Sequence, residues 1–439
     1  MDQFISQLDE AHKSGYEFVK RGPILLKRSD INSVMPNAGT IMNDRRIRES
    51  LDTSIELRQL GAFAITEGAH QSRIGKSDFY PTLEHSNVMN RLLKDNHPGA
   101  YDDWEYIFDE TCWGLSQYSL LTKGRNVLSN NLRFAPWELR VPSKLSEIPP
   151  IQLIEKLQKS GHKIGYVQDA FASAHRGGKG KDTSMFALPA FLKERQIPVF
   201  PSKHFVDEMR KYAKIHELIC QAKRVVIALF GAKIKDYIDV LSLYQRRDNT
   251  EFLAGSLLSL IFLKAQNPSI SLGANEDQFF KDIGQSELDQ FKARYIPERL
   301  HLAQDLLLTK DDQLISQNID LNTNIQDVIQ GIGPSTARTF ADIVRGAQLL
   351  IVNGCPCNIN RFDEFGNSFT DFLRQVRKQN GNLTIYECGG DAITAIKLTQ
   401  VQTDVSSTAG KLGLLAPMIE TREDLELFAP SIIPLISTE

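Results

Sequence analysis

Long apolar runs are missing from this chain of 439 residues. No stretch approaches the ~20 consecutive apolar residues that a helix needs to span a bilayer, which excludes a transmembrane helix. Cysteine is scarce and odd in number, five in all. A disulfide framework is therefore excluded, and a reduced, cytoplasmic protein is expected. Neither sign of charge is in excess: 51 Lys and Arg stand against 54 Asp and Glu, a formal net charge of −3. That balance gives no general attraction to nucleic acid or to an anionic membrane, so any anion site must be local. The opening residues Met1-Asp2-Gln3-Phe4-Ile5 have neither the basic start nor the apolar core of a secretory signal. There is no internal repeat and no low-complexity tract. What the chain does have is a globular composition, 41% hydrophobic and 24% charged residues. At roughly 150 residues per domain, its length suggests two or three domains.

Strand and helix patterns alternate along the chain, the signature of an α/β fold built on mostly parallel sheets. The clearest strand is 225–230, six apolar residues ending before Gly231; such a run suits a strand covered by helices on both faces. Runs at 349–352 and 383–386 follow the same plan, and earlier ones at 23–26 and 62–65 lead to Arg28 and towards His70. Polar residues repeatedly sit just past the carboxyl end of a strand, where open α/β sheets bind ligands. Phe205, Met209, Tyr212, Ile215 and Leu218 fall at helical spacing, which predicts a long helix over 201–223 joining two lobes. The expected organisation is an N-terminal lobe 1–201, a joining helix 202–219, a C-terminal lobe 220–416 and a tail 417–439 that packs back. The basic, glycine-rich segment 176–181 reads as a mobile loop. Asp102, Glu105, Asp109 and Glu110 read as a solvated helix face.

The first half carries basic residues in short strand-end motifs. They are Arg28-Ser29-Asp30-Ile31-Asn32, Asp44-Arg45-Arg46-Ile47-Arg48, His70-Gln71-Ser72-Arg73, Asn131-Leu132-Arg133-Phe134 and the stretch from Asp169-Ala170-Phe171 to His175-Arg176. Arginine forks converging from separate strand ends would bind a small polyanion bidentately, and Asp30 and Asn32 would add hydroxyl recognition. Taken singly, each arginine also reads as a surface ion-pair partner. The second half carries features suited to nucleotide phosphates. Gly231-Ala232-Lys233 follows the buried strand, and Gly331-Ile332-Gly333-Pro334-Ser335-Thr336 precedes an amphipathic helix. Cys388-Gly389-Gly390-Asp391 links a strand to a helix starting near Ala392, where free amides favour phosphate and Asp391 would hold Mg²⁺. Ser407-Thr408-Ala409-Gly410-Lys411 is a further small-residue turn. Glycines after strands are also found in ordinary turns.

Together, and in this order, these motifs resemble phosphoglycerate kinase over about residues 22–416. The resemblance implies two Rossmann-like lobes, joined by a long interdomain helix with a hinge. The N-terminal lobe would bind 3-phosphoglycerate and the C-terminal lobe Mg-ATP or Mg-ADP. The implied reaction is the reversible phosphoryl transfer of glycolysis that makes or consumes 1,3-bisphosphoglycerate, carried out by a cytoplasmic monomer. Asp30, Asn32 and Arg46 would hold the glycerate end. His70, Arg73, Arg133 and Arg176 would grip the 3-phosphate, with His175 alongside. Arg46 and Lys233 would stabilise the transferring phosphoryl. Gly231, Lys233, Gly255, Gly333, Pro334, Asn353, Asn360, Gly389, Gly390, Asp391 and Ala392 would line the nucleotide site, with Asp391 positioning the metal.

Departures from the family pattern concentrate in the second half. The second lysine after Gly-Ala-Lys is Tyr237, with Lys235 two residues before it; the ribose-binding Glu is Asn360; a triple glycine is reduced to Gly255-Ser256-Leu257 and another to Ala409-Gly410-Lys411. Larger residues in place of glycine obstruct close backbone approach to a ligand. Two further readings therefore stand beside the leading one: an acyl-phosphate-forming kinase acting on a related carboxylate, and a catalytically reduced paralogue that binds a metabolite or a partner. Cys355, Cys357 and Cys388 are read as space-filling thiols, with a metal or redox site as the alternative. His12, His85, His97, His162, His204, His216 and His301 are read as structural, and Trp104, Trp113 and Trp137 as core or interlobe aromatics.

Overall fold

The computed structural model describes the whole chain except residues 34, 36, 38, 73, 177–181, 274, 282, 311, 312 and 437–439. It divides into two compact units: Met1–Arg210 together with Ile419–Glu439, and Lys211–Met418. Among the described residues, no helix is long and apolar enough to cross a membrane.

In the first unit six strands, β1 (Ile24–Arg28), β2 (Ala64–Gly68), β3 (Glu105–Ile107), β4 (Val127–Ser129), β5 (Ile164–Gln168) and β6 (Val199–Pro201), form one sheet in the order β3-β4-β2-β1-β5-β6. All of its pairings are parallel. The chain leaves β1 for one side of the sheet and later returns to the other, so the switch point lies beside β1.

The second unit carries β7 (Val225–Leu229), β8 (Thr250–Ala254), β9 (Leu300–His301), β10 (Asp305–Lys310), β11 (Gln313–Asn318), β12 (Val328–Ile332), β13 (Leu349–Asn353), β14 (Thr384–Cys388) and β15 (Val405–Ser407). Six of them make a parallel sheet, β15-β14-β13-β7-β8-β9, and β11-β10-β12 a small antiparallel one. Here the switch point lies between β7 and β13, whose residues pair in register from Leu349 with Val225 to Asn353 with Leu229. Every residue of β7 and β13 is buried, as expected of apolar strands with helices on both faces. Phe340, Phe369 and Phe372 pack with Phe230 on one of those faces.

Four expectations need correction. The strand expected at 62–65 is Ala64–Gly68. Gly61, at φ 121°, ends the helix Arg45–Leu60, and Ala62 and Phe63 carry the chain onward. The polar Thr66 and Glu67 then enter the core, because Glu67 meets Lys27, Ser50 and Ser54 inside the unit. For the same reason β1 runs on through Lys27 and Arg28, both fully buried. The acidic stretch is not a helix face. Glu105 opens β3, Arg125 pairs with Asp102 and Glu105, and Asp109 accepts from Thr111 in a turn. The long helix spans Lys203–Gln221, Pro201 ending β6 and Ser202 accepting from the Phe205 amide.

Trp104, Trp113 and Trp137 are core residues, Trp113 stacked on Trp137. The segment from Ile419 onward belongs to the first unit; Ser431 Oγ donates to Ala174 O and Lys193 Nζ to Ile436 O. Of the segment 176–181 expected as a mobile loop, residues 177–181 lie outside the described residues.

Candidate functional site

The first unit gathers charge at the carboxyl ends of its central strands. Arg28, the last residue of β1, donates through Nε to Ser184 Oγ at 2.9 Å, through Nη1 to Ser29 O and through Nη2 to His70 Nδ1. A guanidinium only donates, so Nδ1 of His70 is the acceptor and the ring proton sits on Nε2. Burial holds His70 well below the usual histidine range, and the charges of Arg28, Arg176, Arg46 and His175 push the same way. His70 is thus a neutral ring carrying one N–H, set among cations.

Beyond β1 the chain turns through Asp30 and Asn32. Arg46, in the first turn of the helix Arg45–Leu60, donates to Asp30 Oδ1 at 3.2 Å and to Asn32 O at 3.4 Å. Asn32 Oδ1 accepts from the Ser72 amide at 2.7 Å, tying the β1 loop to the loop that follows β2. Arg133 is buried on the short helical turn Leu132–Phe134 after β4, with Nη1 donating to Ser72 O. Arg133 and Arg176 both reach Asp182 Oδ2, at 3.5 and 3.3 Å. The structure therefore brings Asp30, Asn32 and Arg46 together, joins Arg133 to Arg176, and sets His70 in the field of Arg46, Arg176 and His175. Arg73 lies outside the described residues.

Three participants were not singled out in the sequence. Arg28 was visible in its motif but carried no assigned role. Asp182 and Glu138 sit in stretches without any motif. Glu138 is fully buried; its Oε2 accepts from Ser184 N at 2.8 Å and its Oε1 from Ser184 Oγ at 2.7 Å. Burial pushes its carboxyl up to about 8, Arg28 opposing and Asp182 adding to the rise. Asp169 turns inward instead of towards a ligand. It lies 3.2 Å from buried Lys27 and accepts from Ser202 Oγ at 2.5 Å.

In the second unit the strand-end loops converge at the β7/β13 switch point. Gly354, at φ 81°, lies against Gly231, and a Cβ there would meet the Gly231 backbone at 2.3 Å. The Gly231 amide donates to Tyr237 Oη at 2.6 Å, and that hydroxyl donates to Asn353 Oδ1 at 3.1 Å. Asn353 Nδ2 in turn donates to Cys388 O at 2.9 Å and Gly410 O at 3.4 Å. Tyr237 is only 2% exposed, and burial raises its pKa, so the position holds a neutral hydroxyl and no cation. Lys235 turns away to Glu287, whereas Lys411 reaches Asp239 at 2.6 Å and Asp236 at 3.6 Å.

Lys233 is exposed and makes no ion pair among the described residues. Gly389, at φ 97°, leads into the helix Gly390–Thr399, with Gly390 and Asp391 exposed in its first turn and Ala392 buried behind them. Gly255 precedes the helix Ser256–Gln266. Gly333 and Pro334 open the helix Pro334–Val344, but its Ser335 and Thr336 amides already donate to the Asp305 carboxylate. Asn360 is exposed on the turn Ile359–Arg361.

Cys355 and Cys357 place their Sγ atoms 3.4 Å apart, while Cys388 is fully buried, its thiol pushed up to about 12 by burial. No group of three or more His, Cys, Asp or Glu side chains that could hold a metal occurs among the described residues. One exposed carboxylate beside helix-start amides suits Mg²⁺, which keeps few protein ligands and takes the rest from phosphates and water.

Comparison with known proteins gives the family and the fold. The family model for phosphoglycerate kinase matches residues 17–415. A phosphoglycerate kinase of Methanothermobacter thermautotrophicus is 28% identical over 385 residues, 86% of each chain. That of Methanobacterium bryantii is 27% identical over 428 residues, 92% of this chain and 95% of the other. The crystal structure of phosphoglycerate kinase from Pyrococcus horikoshii superposes with a TM-score of 0.70 at 22% identity, covering 94% of this chain and 97% of that one. With the motifs in family order and the fold shared along nearly the whole length, the chain belongs to the phosphoglycerate kinase family.

Proposed function

We infer that the protein is a phosphoglycerate kinase-type phosphotransferase, moving a phosphoryl group reversibly between ATP or ADP and the carboxylate of 3-phosphoglycerate. The observation that carries this reading is the convergence of Asp30, Asn32, Arg46, His70, Arg133 and Arg176 at the carboxyl end of one sheet. Two guanidinium forks and a neutral imidazole N–H suit the 3-phosphate, and the hydroxyl acceptors Asp30 and Asn32 suit the glycerate. In the second unit Lys233 and the amides at Gly389 to Asp391 serve the nucleotide phosphates. Asp391 is the residue that would hold Mg²⁺, which supplies charge neutralisation at those phosphates.

Such transfer depends on alignment and positive charge, with little covalent work for the protein. Arg46, oriented by Asp30, and Lys233 stabilise the charge on the moving phosphoryl group. Hinge-bending about the helix Lys203–Gln221 would bring donor and acceptor into line. A monomeric, cytoplasmic enzyme of glycolysis is the setting this chemistry implies.

The test is a coupled assay with 3-phosphoglycerate and Mg-ATP. Wild type should turn over, and Lys233→Ala should lose about 10²–10³ in turnover with 3-phosphoglycerate affinity unchanged, by analogy with deletion of a single donor to transition-state charge. No transfer by wild type at millimolar substrates, or full activity in Lys233→Ala, overturns the assignment.

A further inference from the structure

The two arginines read as phosphate ligands share an internal anion. Asp182 Oδ2 lies 3.3 Å from Arg176 Nη1 and 3.5 Å from Arg133 Nη2, so one carboxylate oxygen bridges two guanidinia. Arg133 and Asp182 are almost wholly buried, with side chains 6% and 8% exposed. A carboxylate oxygen between two forks presents the same kind of chemistry as a phosphate oxygen: delocalised negative charge and lone pairs facing N–H donors.

The backbone holds this carboxylate in place. Asp182 has φ 50° and ψ 65°, a left-handed conformation that non-glycine residues occupy at a cost. Directly after it the turn Thr183–Met185 is fully buried, with Met185 N donating to Asp182 O at 2.8 Å. Ser184 is fixed in turn by Glu138 and Arg28. The anchored turn therefore delivers Asp182 to the arginine pair and keeps it there.

We propose that Asp182 is a specificity-determining residue: a built-in carboxylate ligand of the phosphate subsite that competes with the substrate's phosphate for Arg133 and Arg176. The proposal rests on the reading of those arginines as the phosphate subsite. A phosphorylated ligand must either displace the carboxylate or share the guanidinia against like-charge repulsion, so Asp182 lowers the affinity for phosphate and favours ligands that bring more than charge. The opposing role, in which Asp182 merely aligns the arginines, predicts the opposite sign on its removal.

Calorimetric titration of the full chain with 3-phosphoglycerate, inorganic phosphate and unphosphorylated glycerate separates the two. Asp182→Asn removes the charge at nearly constant shape. Asp182→Gly removes it while relieving the backbone, which guards against a folding defect in the first variant. Both should bind 3-phosphoglycerate and inorganic phosphate about tenfold more tightly than wild type, the equivalent of about 1.4 kcal/mol, with glycerate unchanged. Equal or weaker binding of both phosphate-bearing ligands, or undetectable binding of both in every protein, overturns the proposal. Turnover is measured separately. An inactive wild type whose variants still gain phosphate affinity would sink the kinase reading and leave this one standing.

Discussion

His85 shows how a residue without any ligand role still shapes behaviour. It is fully buried on the helix Leu83–Asn96, with Nε2 3.1 Å from Gln71 Oε1, and burial lowers its pKa to about 4. Gln71 also donates to Ser33 O, so the ring supports the link between the loop after β1 and the loop after β2. An unfolded chain protonates a histidine near pH 6.5. Between pH 6.5 and 4 the unfolded state therefore binds a proton at His85 that the folded state does not. Stability must then fall as pH falls across that window, by about 3 kcal/mol for a displacement of this size, and be unaffected by this group above it. Denaturant unfolding at pH 7 and pH 4.5 should show a smaller acid loss in His85→Gln than in wild type; an identical loss would mean that the ring is charged in the fold. In the sequence His85 reads as structural, but nothing local to it discloses this reason. Tyr237 marks the complementary limit: its position was legible as a missing lysine. That its hydroxyl would take the Gly231 amide and the Asn353 side chain depended on how the loops pack.

At the scale of elements, what the sequence disclosed and what it concealed divide by the chemistry of the strands. The apolar strands β7 and β13 stood out because nothing polar interrupts them. Lys27, Arg28, Thr66 and Glu67 hid the ends of β1 and β2, since a strand containing buried charge is recognisable only once its partner strand supplies the opposite charge. Lys27 lies 3.3 Å from Glu67 and 3.2 Å from Asp169, all three buried, and no local pattern pairs residues so far apart in the chain. The switch point of the second unit was legible as glycines after strands, but not the contact between them. Gly354 has φ 81°, and a Cβ on it would sit 2.3 Å from both N and Cα of Gly231. An alanine there must both adopt a left-handed backbone and push apart the loops after β7 and β13. Gly354→Ala is therefore expected to destabilise the second unit by about 2 kcal/mol or more and to weaken ADP binding, with 3-phosphoglycerate binding retained. Calorimetry and ligand titration check it; unchanged ADP affinity would mean that the Gly231 loop does not serve the nucleotide.

Across the whole molecule, the first unit is not one continuous piece of sequence. Residues Ile419–Glu439 return to it after the entire second unit has been built. Within that segment Leu425, Phe428, Ile432, Leu435 and Ile436 are buried, and each such side chain contributes about 1.5–3 kcal/mol of burial free energy. The segment also reaches the substrate half of the chemistry. Ser431 donates through its amide at 3.3 Å and through Oγ at 2.9 Å to the carbonyl of Ala174, two residues before Arg176. Lys193 Nζ, from the helix Ala187–Glu194, donates to Ile436 O at 2.5 Å. A chain truncated after residue 420 should therefore unfold its first unit at a lower temperature and bind 3-phosphoglycerate more weakly, while ADP affinity stays at the wild-type value. Truncation alone leaves open whether the weakening comes from lost packing or from the loop that carries His175 and Arg176. Ser431→Ala separates these, because it keeps the apolar contacts and removes only the hydroxyl donor, at a cost of about 1 kcal/mol. A several-fold loss of 3-phosphoglycerate affinity in Ser431→Ala, with a melting temperature lowered by only about 2–4 °C, would show that the returning segment positions the Arg176 loop. Wild-type affinity in both the point variant and the truncated chain would mean that this loop is held without the segment's help.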